Sequence, residues 1–413
     1  MRDRVVVYED ALVLVMAGGQ GERLLPLTQH RSKPAVPFGG MYRIIDFTLS
    51  NTINSGFRKI YVLTQYKSIS LDRHIQLGWS NLLSAELEHW VQSVPPQLRV
   101  GNRWYEGTAD AVFQNIYLLE KVRPKRVLIL SGDHIYKMDY AKMVDAHGAS
   151  GATATVAAIE VPRAQARTFG VLEVDERHRI TAFHEKPADP HAIPGKPDHA
   201  LINMGVYCFE TEPLVEALTR DAKIADTRHD FGHDILPAFA KSGELLAYSF
   251  EDLNRKPEPY WRDIGTLDSY YEASMDLVAV NPVFNLYDRD WPLRTLPRQL
   301  PPAKFVFGDE TPEGRFGIAL DSIVCNGAIV SGGRVERSVV GPGVRVNSKA
   351  RVFDSVLMDG VTIGRDARVT RTIIDKGVQI PAGFVVGEDP DDDAQRFLVS
   401  PDGVVVIAKG MAL

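Results

Sequence analysis

The sequence predicts an α/β protein whose Rossmann-like, mostly parallel sheet is followed by a left-handed parallel β-helix of hexapeptide repeats. Three observations lead to this fold class. Short apolar runs alternate with helical stretches at first, prolines then become dense, and apolar residues finally recur every 17 positions. We therefore assign residues 1–280 to a first domain, 281–304 to a proline-rich linker and 305–413 to the β-helix.

A glycine-rich loop follows the first apolar run of the chain. The run Ala11–Ala17 has the length of a buried strand, and it ends at residues 18–21 (GGQG), where the backbone can turn tightly and approach a ligand closely. The Walker pattern is absent, and the dinucleotide-binding fingerprint fails because Leu24 stands where it needs a third glycine. The loop is therefore neither that of an ordinary NTPase nor that of a dehydrogenase.

Two cations flank this loop. Arg23 and Lys33 lie close enough to the turn in sequence to neutralise the charge of a polyphosphate together. We predict that they bind a nucleoside triphosphate with the backbone of Gly18, Gly19 and Gly21.

Further polar residues follow strands or begin helices, where ligands of parallel sheets bind. Gln65 ends the strand predicted at residues 59–64, where it could bind the edge of a base or simply cap the strand. Tyr105 and Gly107 precede a helix predicted at residues 109–121, where a base could stack and meet the backbone. A core aromatic pair would explain Tyr105 equally well.

Two aspartates are candidates for a magnesium site. Asp133 lies at the end of the buried strand predicted at residues 126–134, and Asp263 lies beside the glycine turn at Gly265. Magnesium in phosphoryl chemistry typically uses one or two carboxylates plus substrate phosphates, so this pair is sufficient. Either aspartate alone could be only a helix cap. We interpret His134 as a structural or supporting residue.

A separate charge pair predicts the sugar-phosphate site. Glu185 and Lys186 lie at the polar end of an alternating strand predicted over residues 179–187, so Lys186 can bind a monophosphate while Glu185 accepts hydrogen bonds from sugar hydroxyls. A solvated surface pair is the alternative. Asn203 and residues 230–234 are further candidate walls of this pocket.

The loop pattern GGQGERLLPLT, followed by KPA, resembles the signature of the sugar-phosphate nucleotidyltransferases. The segments WYEGTADAV, GDHIYKMDY, HEKPADP, DFGHDILP and PYWRDIGT extend the resemblance over nearly the whole chain. They are similar to the members that transfer the adenylyl group of ATP to glucose 1-phosphate, with release of pyrophosphate, for glycogen synthesis. Three positions depart from the family pattern, namely Glu22, Asn203 and His233.

The resemblance implies a role for each candidate residue. The catalytic residues would be Arg23, Lys33 and Asp133, and the Mg²⁺ ligands Asp133 and Asp263. The nucleotide-binding residues would be Gly18, Gly19, Gly21, Arg23, Lys33, Gln65, Tyr105 and Gly107. The glucose 1-phosphate site would contain Tyr105, Gly170, Glu185, Lys186 and Asn203. Family membership also implies a homotetramer under the control of small-molecule effectors such as sugar phosphates or AMP-like nucleotides.

Composition limits the partners. The chain of 413 residues has a formal net charge of −6 and a pI near 6.0 without a basic block, which argues against nucleic acid or an anionic membrane as partner. No apolar run approaches the length of a membrane span. Cys208 and Cys325 are each set in an apolar run, which predicts buried reduced thiols and a cytoplasmic location.

The C-terminal repeat has three inward residues in each period of 17. The three series begin at Ile323, Ile329 and Val335, and a period that starts at Ile329 and continues through Val335 and Val340 to Val346 has steps of 6, 5 and 6 residues. Three inward positions per turn imply a triangular coil with one short strand on each side.

Other functions stay open at this point. Nothing in the spacing of Gln65 or Tyr105 excludes a uridylyl- or thymidylyltransferase. An acyltransferase activity of the β-helix would normally need a histidine base, but the last histidine of the chain is His233. A non-catalytic, nucleotide-binding regulatory subunit is disfavoured because both Asp133 and Asp263 are present.

Overall fold

The computed structural model describes residues 6–97, 103–309, 311 and 314–413. Within these residues the first part of the chain forms thirteen strands and nine α-helices. The strands are β1 (Ala11–Ala17), β2 (Pro37–Phe38), β3 (Tyr42–Arg43), β4 (Lys59–Thr64), β5 (Trp90–Val94), β6 (Arg126–Ser131), β7 (His134–Tyr136), β8 (Ala154–Pro162), β9 (Gly170–Val174), β10 (Ile180–Glu185), β11 (His199–Glu210), β12 (Leu245–Ser249) and β13 (Trp261–Asp263). The helices are α1 (Ile44–Asn54), α2 (Ile69–Gly78), α3 (Thr108–Phe113), α4 (Ile116–Val122), α5 (Tyr140–Ser150), α6 (Arg163–Ala166), α7 (Thr211–Asp221), α8 (Leu236–Ser242) and α9 (Leu267–Asp276).

The main sheet has nine strands. Its path runs β10-β9-β11-β6-β1-β4-β5, and β8 pairs with both β11 and β12. The strands β6, β1, β4 and β5 are parallel, as predicted, whereas β11 runs antiparallel to β6. Because β1, β4 and β6 are parallel neighbours, the residues that follow them lie at one edge of the sheet.

A two-stranded ribbon lies beside the carboxyl end of β6. The strands β7 and β13 are antiparallel, with Asp263 paired to His134 and Trp261 to Tyr136. The register matters because it brings Asp263 next to Asp133, although the two aspartates are far apart in sequence. The ribbon therefore assembles the two predicted metal ligands.

The helix predicted over residues 109–121 is divided into α3 and α4. The side-chain amide of Asn115 donates hydrogen bonds of 2.8 Å to the carbonyl of Ala111 and to the hydroxyl of Tyr105. Asparagine competes in this way with regular helical bonding, and the backbone leaves the helical region at Asn115 (φ −109°, ψ 17°).

The proline-rich segment packs along the first domain. The indole nitrogen of Trp291 donates to the side-chain oxygen of Asn51 at 2.8 Å, and the side-chain amide of Asn54 donates to the carbonyl of Pro292 at 3.0 Å. Gly78 allows close contact, since a Cβ there would lie 2.8 Å from the Cα of Leu296. The predicted linker thus follows α1 and the end of α2.

The β-helix is built from three sheets of mostly parallel strands, and α10 (Pro390–Arg396) precedes its last two strands. One sheet contains β14 (Lys304–Val306), β17 (Ile329–Ser331), β20 (Arg345–Val346), β23 (Thr362–Ile363) and β26 (Gln379–Ile380). The second contains β15 (Ile318–Leu320), β18 (Arg334–Glu336), β21 (Arg351–Phe353), β24 (Arg368–Thr370) and β27 (Val385–Val386). The third contains β16 (Ile323–Val324), β19 (Val339–Val340), β22 (Val356–Leu357), β25 (Thr372–Ile374), β29 (Val405–Ile407) and β28 (Leu398–Val399), the last being antiparallel to β29.

The 17-residue period is confirmed from Val335 onward, but the first two predicted members are wrong. Val335 pairs with Val352, whereas Val330, not Ile329, pairs with Val346, and Val324, not Ile323, pairs with Val340. The first coil is therefore one residue shorter, and Val330 is buried while Ile329 is only partly so.

The two parts of the chain share a hydrophobic core. Leu24, Leu27 and Phe38 belong to the same buried cluster as Val339 and Val356 of the β-helix. The guanidinium of Arg31 forms a buried, bidentate ion pair with Asp375, with both oxygens 2.9 Å from its nitrogens.

None of the helices in the described part of the chain combines the length and the apolar character needed to cross a bilayer. Both cysteines are buried free thiols, as predicted, and burial raises the pKa of Cys208 above its usual range and that of Cys325 to about 12.

Candidate active site

A cleft of about 810 Å³ opens at the carboxyl ends of β1, β4 and β6. It contains the glycine-rich loop, both predicted phosphate-binding cations and one of the predicted metal ligands. The predicted residues that line it are Gly18, Gly19, Gly21, Arg23, Lys33, Gln65, Tyr105, Gly107 and Asp133. The volume is typical of sites for cofactors and other small molecules.

The conformation of the loop explains one of its glycines. Gly21 has a left-handed backbone (φ 67°), and its carbonyl accepts a 2.8 Å hydrogen bond from the hydroxyl of Thr28. A Cβ on Gly21 would lie 3.0 Å from side-chain carbons of both Thr28 and Lys33. By contrast, a Cβ on Gly19 would meet no protein atom within 4 Å, so this residue leaves open space next to the loop.

Lys33 connects the two predicted metal ligands. Its ammonium nitrogen lies 2.7 Å from Oδ2 of Asp133 and 2.9 Å from Oδ1 of Asp263. Burial of Lys33 alone would lower its pKa, but the two carboxylates outweigh that effect and the pKa is raised. Lys33 therefore carries its positive charge at neutral pH.

The ionised state of Asp133 is strongly favoured. Burial would raise the pKa of Asp133, but the charge of Lys33, with smaller contributions from His134 and the hydroxyl of Ser131, holds it well below its usual range. Ser131 donates to Oδ1 of Asp133 and so orients the carboxylate. The sequence prediction had not included Ser131, although its position at the end of β6 was a usable signal.

His134 lies next to both carboxylates. Its Nε2 atom is 3.4 Å from Oδ1 of Asp133 and 3.9 Å from Oδ1 of Asp263. The ring packs edge to face against Trp261, with centroids 4.9 Å apart, and its buried Nδ1 has no hydrogen-bond partner in the part of the chain that the structure describes. Asp133, His134 and Asp263 together form a group of possible metal ligands whose atoms lie within 4.8 Å of one another.

Arg23 adds a second cation next to these carboxylates. A Cβ on Gly265 would lie 3.1 Å from Oδ2 of Asp263 and 3.3 Å from a guanidinium nitrogen of Arg23. The three residues are thus immediate neighbours. Arg23, Lys33 and the two aspartates form a compact arrangement of alternating charge beside the loop.

The candidate base-binding side contains Gln65 and Tyr105. A Cβ on Gly18 would be 3.2 Å from Cβ of Gln65, and the Gln65 amide donates a long hydrogen bond of 3.3 Å to the carbonyl of Tyr105. The Tyr105 hydroxyl is already bonded to Asn115, and the ring is mostly buried. Tyr66 and Trp104 stack nearby, with centroids 5.8 Å apart and planes 10° apart, and Trp104 is 55% exposed.

Gly107 is required by close backbone contact. A Cβ at this position would lie 2.2 Å from the carbonyl oxygen of His229 and 2.3 Å from that of Arg228. The amides of Ala109 and Asp110 donate to the His229 carbonyl at 2.8 and 3.1 Å. Gly107 therefore fixes the start of α3 against this segment.

Among the predicted sugar-phosphate residues, Gly170, Glu185 and Asn203 lie on β9, β10 and β11, whereas Lys186 follows β10 and Tyr105 precedes α3. The Lys186 ammonium is 3.1 Å from Oε1 of Glu185, and a Cβ on Gly170 would be 3.1 Å from Oε2 of Glu185 and 2.5 Å from the ring of Phe183. The Lys186 side chain is 60% exposed, and its backbone has a left-handed conformation (φ 47°).

Asn203 connects this side to the metal ligands. Its amide donates to the hydroxyl of Tyr207 at 2.9 Å, while its carbonyl oxygen accepts from the backbone of Gly205 at 2.9 Å. A Cβ on Gly205 would be 3.3 Å from Cβ of Ser131. The turn after Asn203 therefore packs against the end of β6, next to Asp133.

Asp230 lines the cleft as well. Its carboxylate accepts a 2.7 Å hydrogen bond from Thr108 and caps a short helical turn through the amides of Gly232 and His233. The predicted wall at residues 230–234 is thus adjacent to α3.

Comparison with known proteins agrees with this architecture. The nucleotidyl transferase family profile matches residues 12–279, and the profile described as GlmU-like, C-terminal hexapeptide matches residues 301–407. A protein of Rhodopirellula baltica named glucose-1-phosphate adenylyltransferase is 53% identical over 98% of this chain and 91% of its own length. Relatives with the same name from Koribacter versatilis (50% identical, 98% of this chain and 96% of the relative) and, as glucose-1-phosphate adenylyltransferase 2, from Vibrio cholerae (49%, 97% and 98%) are similar in extent.

The residue pattern, the parallel sheet with its glycine loop and the hexapeptide β-helix all agree with these matches. The chain belongs to the nucleotidyl transferase family, with a C-terminal hexapeptide-repeat domain.

Proposed function

We propose that this chain is a glucose-1-phosphate adenylyltransferase that converts ATP and glucose 1-phosphate into ADP-glucose and pyrophosphate. The observation that carries the proposal is the cleft at the ends of β1, β4 and β6, where Arg23 and Lys33 meet Asp133 beside the glycine loop. Sequence identity of 50–53% over almost the full length of relatives that bear this name supports the choice of substrates.

The chemistry needs no protein nucleophile. A phosphate oxygen of glucose 1-phosphate, already ionised, forms a bond to the α-phosphorus of ATP, and the bond from that phosphorus to the bridging oxygen of pyrophosphate breaks. The enzyme's work is then to align the two substrates and to neutralise the charge that repels them. Arg23 and Lys33 would neutralise the triphosphate, and the open space beside Gly19 would leave room for it.

Asp133 and Asp263 would hold Mg²⁺. Their oxygens fit this role because they already converge on one cation, the Lys33 ammonium, at 2.7 and 2.9 Å, and carboxylate oxygens are the ligands that Mg²⁺ prefers. When bound, the ion would supply further positive charge to the phosphate oxygens. The side chain of Lys33 is flexible, so its ammonium could contact a phosphate once Asp133 and Asp263 bind Mg²⁺ instead of Lys33.

Lys186 and Glu185 would bind glucose 1-phosphate. The Lys186 side chain is mostly exposed, and within the described part of the chain its ammonium forms an ion pair only with the adjacent Glu185. The ammonium is therefore accessible to a phosphate. Glu185 and Asn203 would contact the sugar. Because Gly170 has no side chain, the Glu185 carboxylate can lie close to it.

A matrix of nucleotides and sugar phosphates tests the proposal. The full-length protein is incubated with ATP, UTP or dTTP and with glucose 1-phosphate or another sugar 1-phosphate, and pyrophosphate release is measured. We expect the pair of ATP and glucose 1-phosphate to be fastest. Preference for UTP or dTTP would overturn the nucleotide assignment, and no release with any pair would favour a non-catalytic binding subunit.

Several extensions depend on family membership. We include in the proposal a role in glycogen synthesis, a cytoplasmic location, a homotetrameric assembly and control by sugar-phosphate or AMP-like effectors. They rest on the resemblance of the sequence motifs to the family. Light scattering of the purified protein tests the assembly, and the same activity matrix with candidate effectors tests the control.

A further inference from the structure

Three possible metal ligands meet outside the cleft, at the edge of the main sheet. They are Glu173 on β9, His184 on the edge strand β10 and His191 in the loop that follows. Oε2 of Glu173 lies 3.1 Å from Nε2 of His184 and 3.6 Å from Nδ1 of His191, and ligand atoms of all three lie within 4.8 Å of one another.

Strand pairing fixes two of these ligands on one face of the sheet. Ala182 lies opposite Glu173 in the antiparallel pair of β10 and β9, so His184, two residues further along, is the diagonal neighbour of Glu173. Side chains alternate along a strand, which places Glu185 on the opposite face. The cluster is therefore separate from the proposed sugar-phosphate site, although both use the same strand.

The loop that carries His191 is anchored. The guanidinium of Arg163 donates to Oδ1 of Asp189 at 2.7 Å and to the carbonyl of Pro190 at 2.8 Å, and Pro190 is buried. The imidazole of His191 stacks on that of His184, with centroids 4.6 Å apart and planes 15° apart. The anchored loop and the stack on His184 thus restrain His191, whose side chain is half exposed.

The donor set and its spacing suit a transition metal. Two imidazoles and one carboxylate are a common ligand set for Zn²⁺, with a remaining position for water. In a tetrahedral zinc site with metal–ligand bonds of about 2.0–2.1 Å, two ligand atoms lie roughly 3.3 Å apart. Oε2 of Glu173 lies 3.1 Å from the His184 nitrogen and 3.6 Å from the His191 nitrogen, so the two separations bracket this value.

We infer that Glu173, His184 and His191 form a surface site for a divalent transition metal such as Zn²⁺. The site is distinct from the Mg²⁺ site proposed in the cleft, because nitrogen donors favour transition metals over Mg²⁺. A bound ion would connect β9, β10 and the anchored loop. It would therefore restrain the backbone on both sides of Lys186.

Zinc binding to the full-length protein tests the inference. Equilibrium dialysis against ZnCl₂ in excess Mg²⁺ would be done on the wild type, on the double variant His184→Gln/His191→Gln and on His178→Asn, a matched control that removes an exposed histidine near β10. We expect the wild type and the control to bind one Zn²⁺ at least about tenfold more tightly than the double variant. Equal binding by all three proteins would overturn the site.

Two further variants separate this site from the cleft. Glu173→Gln keeps both imidazoles and should weaken Zn²⁺ binding by about tenfold, so unchanged affinity would refute the three-ligand site. Asp133→Asn should leave this Zn²⁺ affinity unaltered, and its loss would place the ion in the cleft instead. Thermal unfolding of each variant without zinc checks that the fold is retained. None of these measurements depends on the adenylyltransferase activity.

Discussion

The two halves of the candidate active site hold their cations in different ways. In the nucleotide half, the Lys33 side chain is 10% exposed and its ammonium lies between Asp133 and Asp263. In the sugar half, the Lys186 side chain is 60% exposed and pairs with the adjacent Glu185. The position of Lys33 depends on three separate segments of the fold, whereas that of Lys186 depends largely on the local backbone conformation. We therefore expect the halves to respond differently to substitution.

The supporting structure differs as well. The nucleotide half rests on the core cluster that Leu24 and Leu27 share with Val339 and Val356 of the β-helix, and the Arg31–Asp375 pair lies in the same interface. Leu172 and Leu201, on strands of the sugar half, belong to another cluster, which also contains Tyr105 and whose buried members within the described residues run from Leu12 to Ala247. The β-helix thus contributes directly to the nucleotide half.

The largest effect is expected from Asp133→Asn. The change removes one metal carboxylate and one partner of Lys33 at little change in volume, and the lost transition-state stabilisation should lower turnover roughly a thousandfold or more. Steady-state pyrophosphate release at saturating Mg²⁺ measures this, with circular dichroism to check the fold. Turnover near that of the wild type would show that the nucleotide half does not depend on this charge.

The next effect tests the support from the β-helix. Asp375→Asn leaves the buried guanidinium of Arg31 without its ionic partner, so the free energy of unfolding should fall by about 3–5 kcal/mol. Denaturant titration measures the loss, and Asp366→Asn, at an exposed turn of the β-helix, is the matched control. Among active molecules, the Michaelis constant for ATP should rise more than that for glucose 1-phosphate. The reverse order would contradict the asymmetry between the halves.

A smaller effect is expected at the exposed cation. Lys186→Gln retains some hydrogen bonding but removes a charge-assisted bond worth about 1.5–3 kcal/mol, so the Michaelis constant for glucose 1-phosphate should rise roughly ten- to a hundredfold. The constant for ATP should stay nearly the same. If both constants rise together, Lys186 supports both ligands; if only that for ATP rises, the two sites are interchanged.

The smallest effect compares one glycine from each half. In Gly170→Ala the new methyl group would displace the Phe183 ring and crowd Glu185. Both side chains can move, so the binding free energy of glucose 1-phosphate should weaken by only about 1 kcal/mol. The Michaelis constant for glucose 1-phosphate should then rise roughly fivefold. In Gly19→Ala the new methyl group meets no protein atom within 4 Å. Any change in the Michaelis constants of this variant therefore reports contact with the nucleotide. Identical kinetic changes in the two variants would argue against separate sites.

Sequence reasoning succeeded where the signal was local. The run that became β1, the glycine turn and the aspartate after β6 each occupy a few consecutive residues, and their order places them at one edge of a parallel sheet. The strand predicted over residues 59–64 was confirmed. The roles assigned to the individual site residues and the domain boundaries stay predictions.

The errors and omissions arise from contacts that no local pattern reports. Asn115 divides a predicted helix because its side chain reaches Tyr105. The 17-residue series was extended too far, to Ile323 and Ile329, because a coil shortened by one residue preserves its apolar character while shifting its register. Arg31 and Asp375 are 344 positions apart, and neither belongs to a periodic series.

The antiparallel strand at the end of the β-helix limits the length of this repeat domain. β29 takes the place that another coil would fill beside β25, and β28 then reverses the strand direction. A coil of the same kind from a second molecule would require a parallel neighbour on this side. β28 therefore caps the repeat, and the sheet that contains it cannot extend end to end into a fibre.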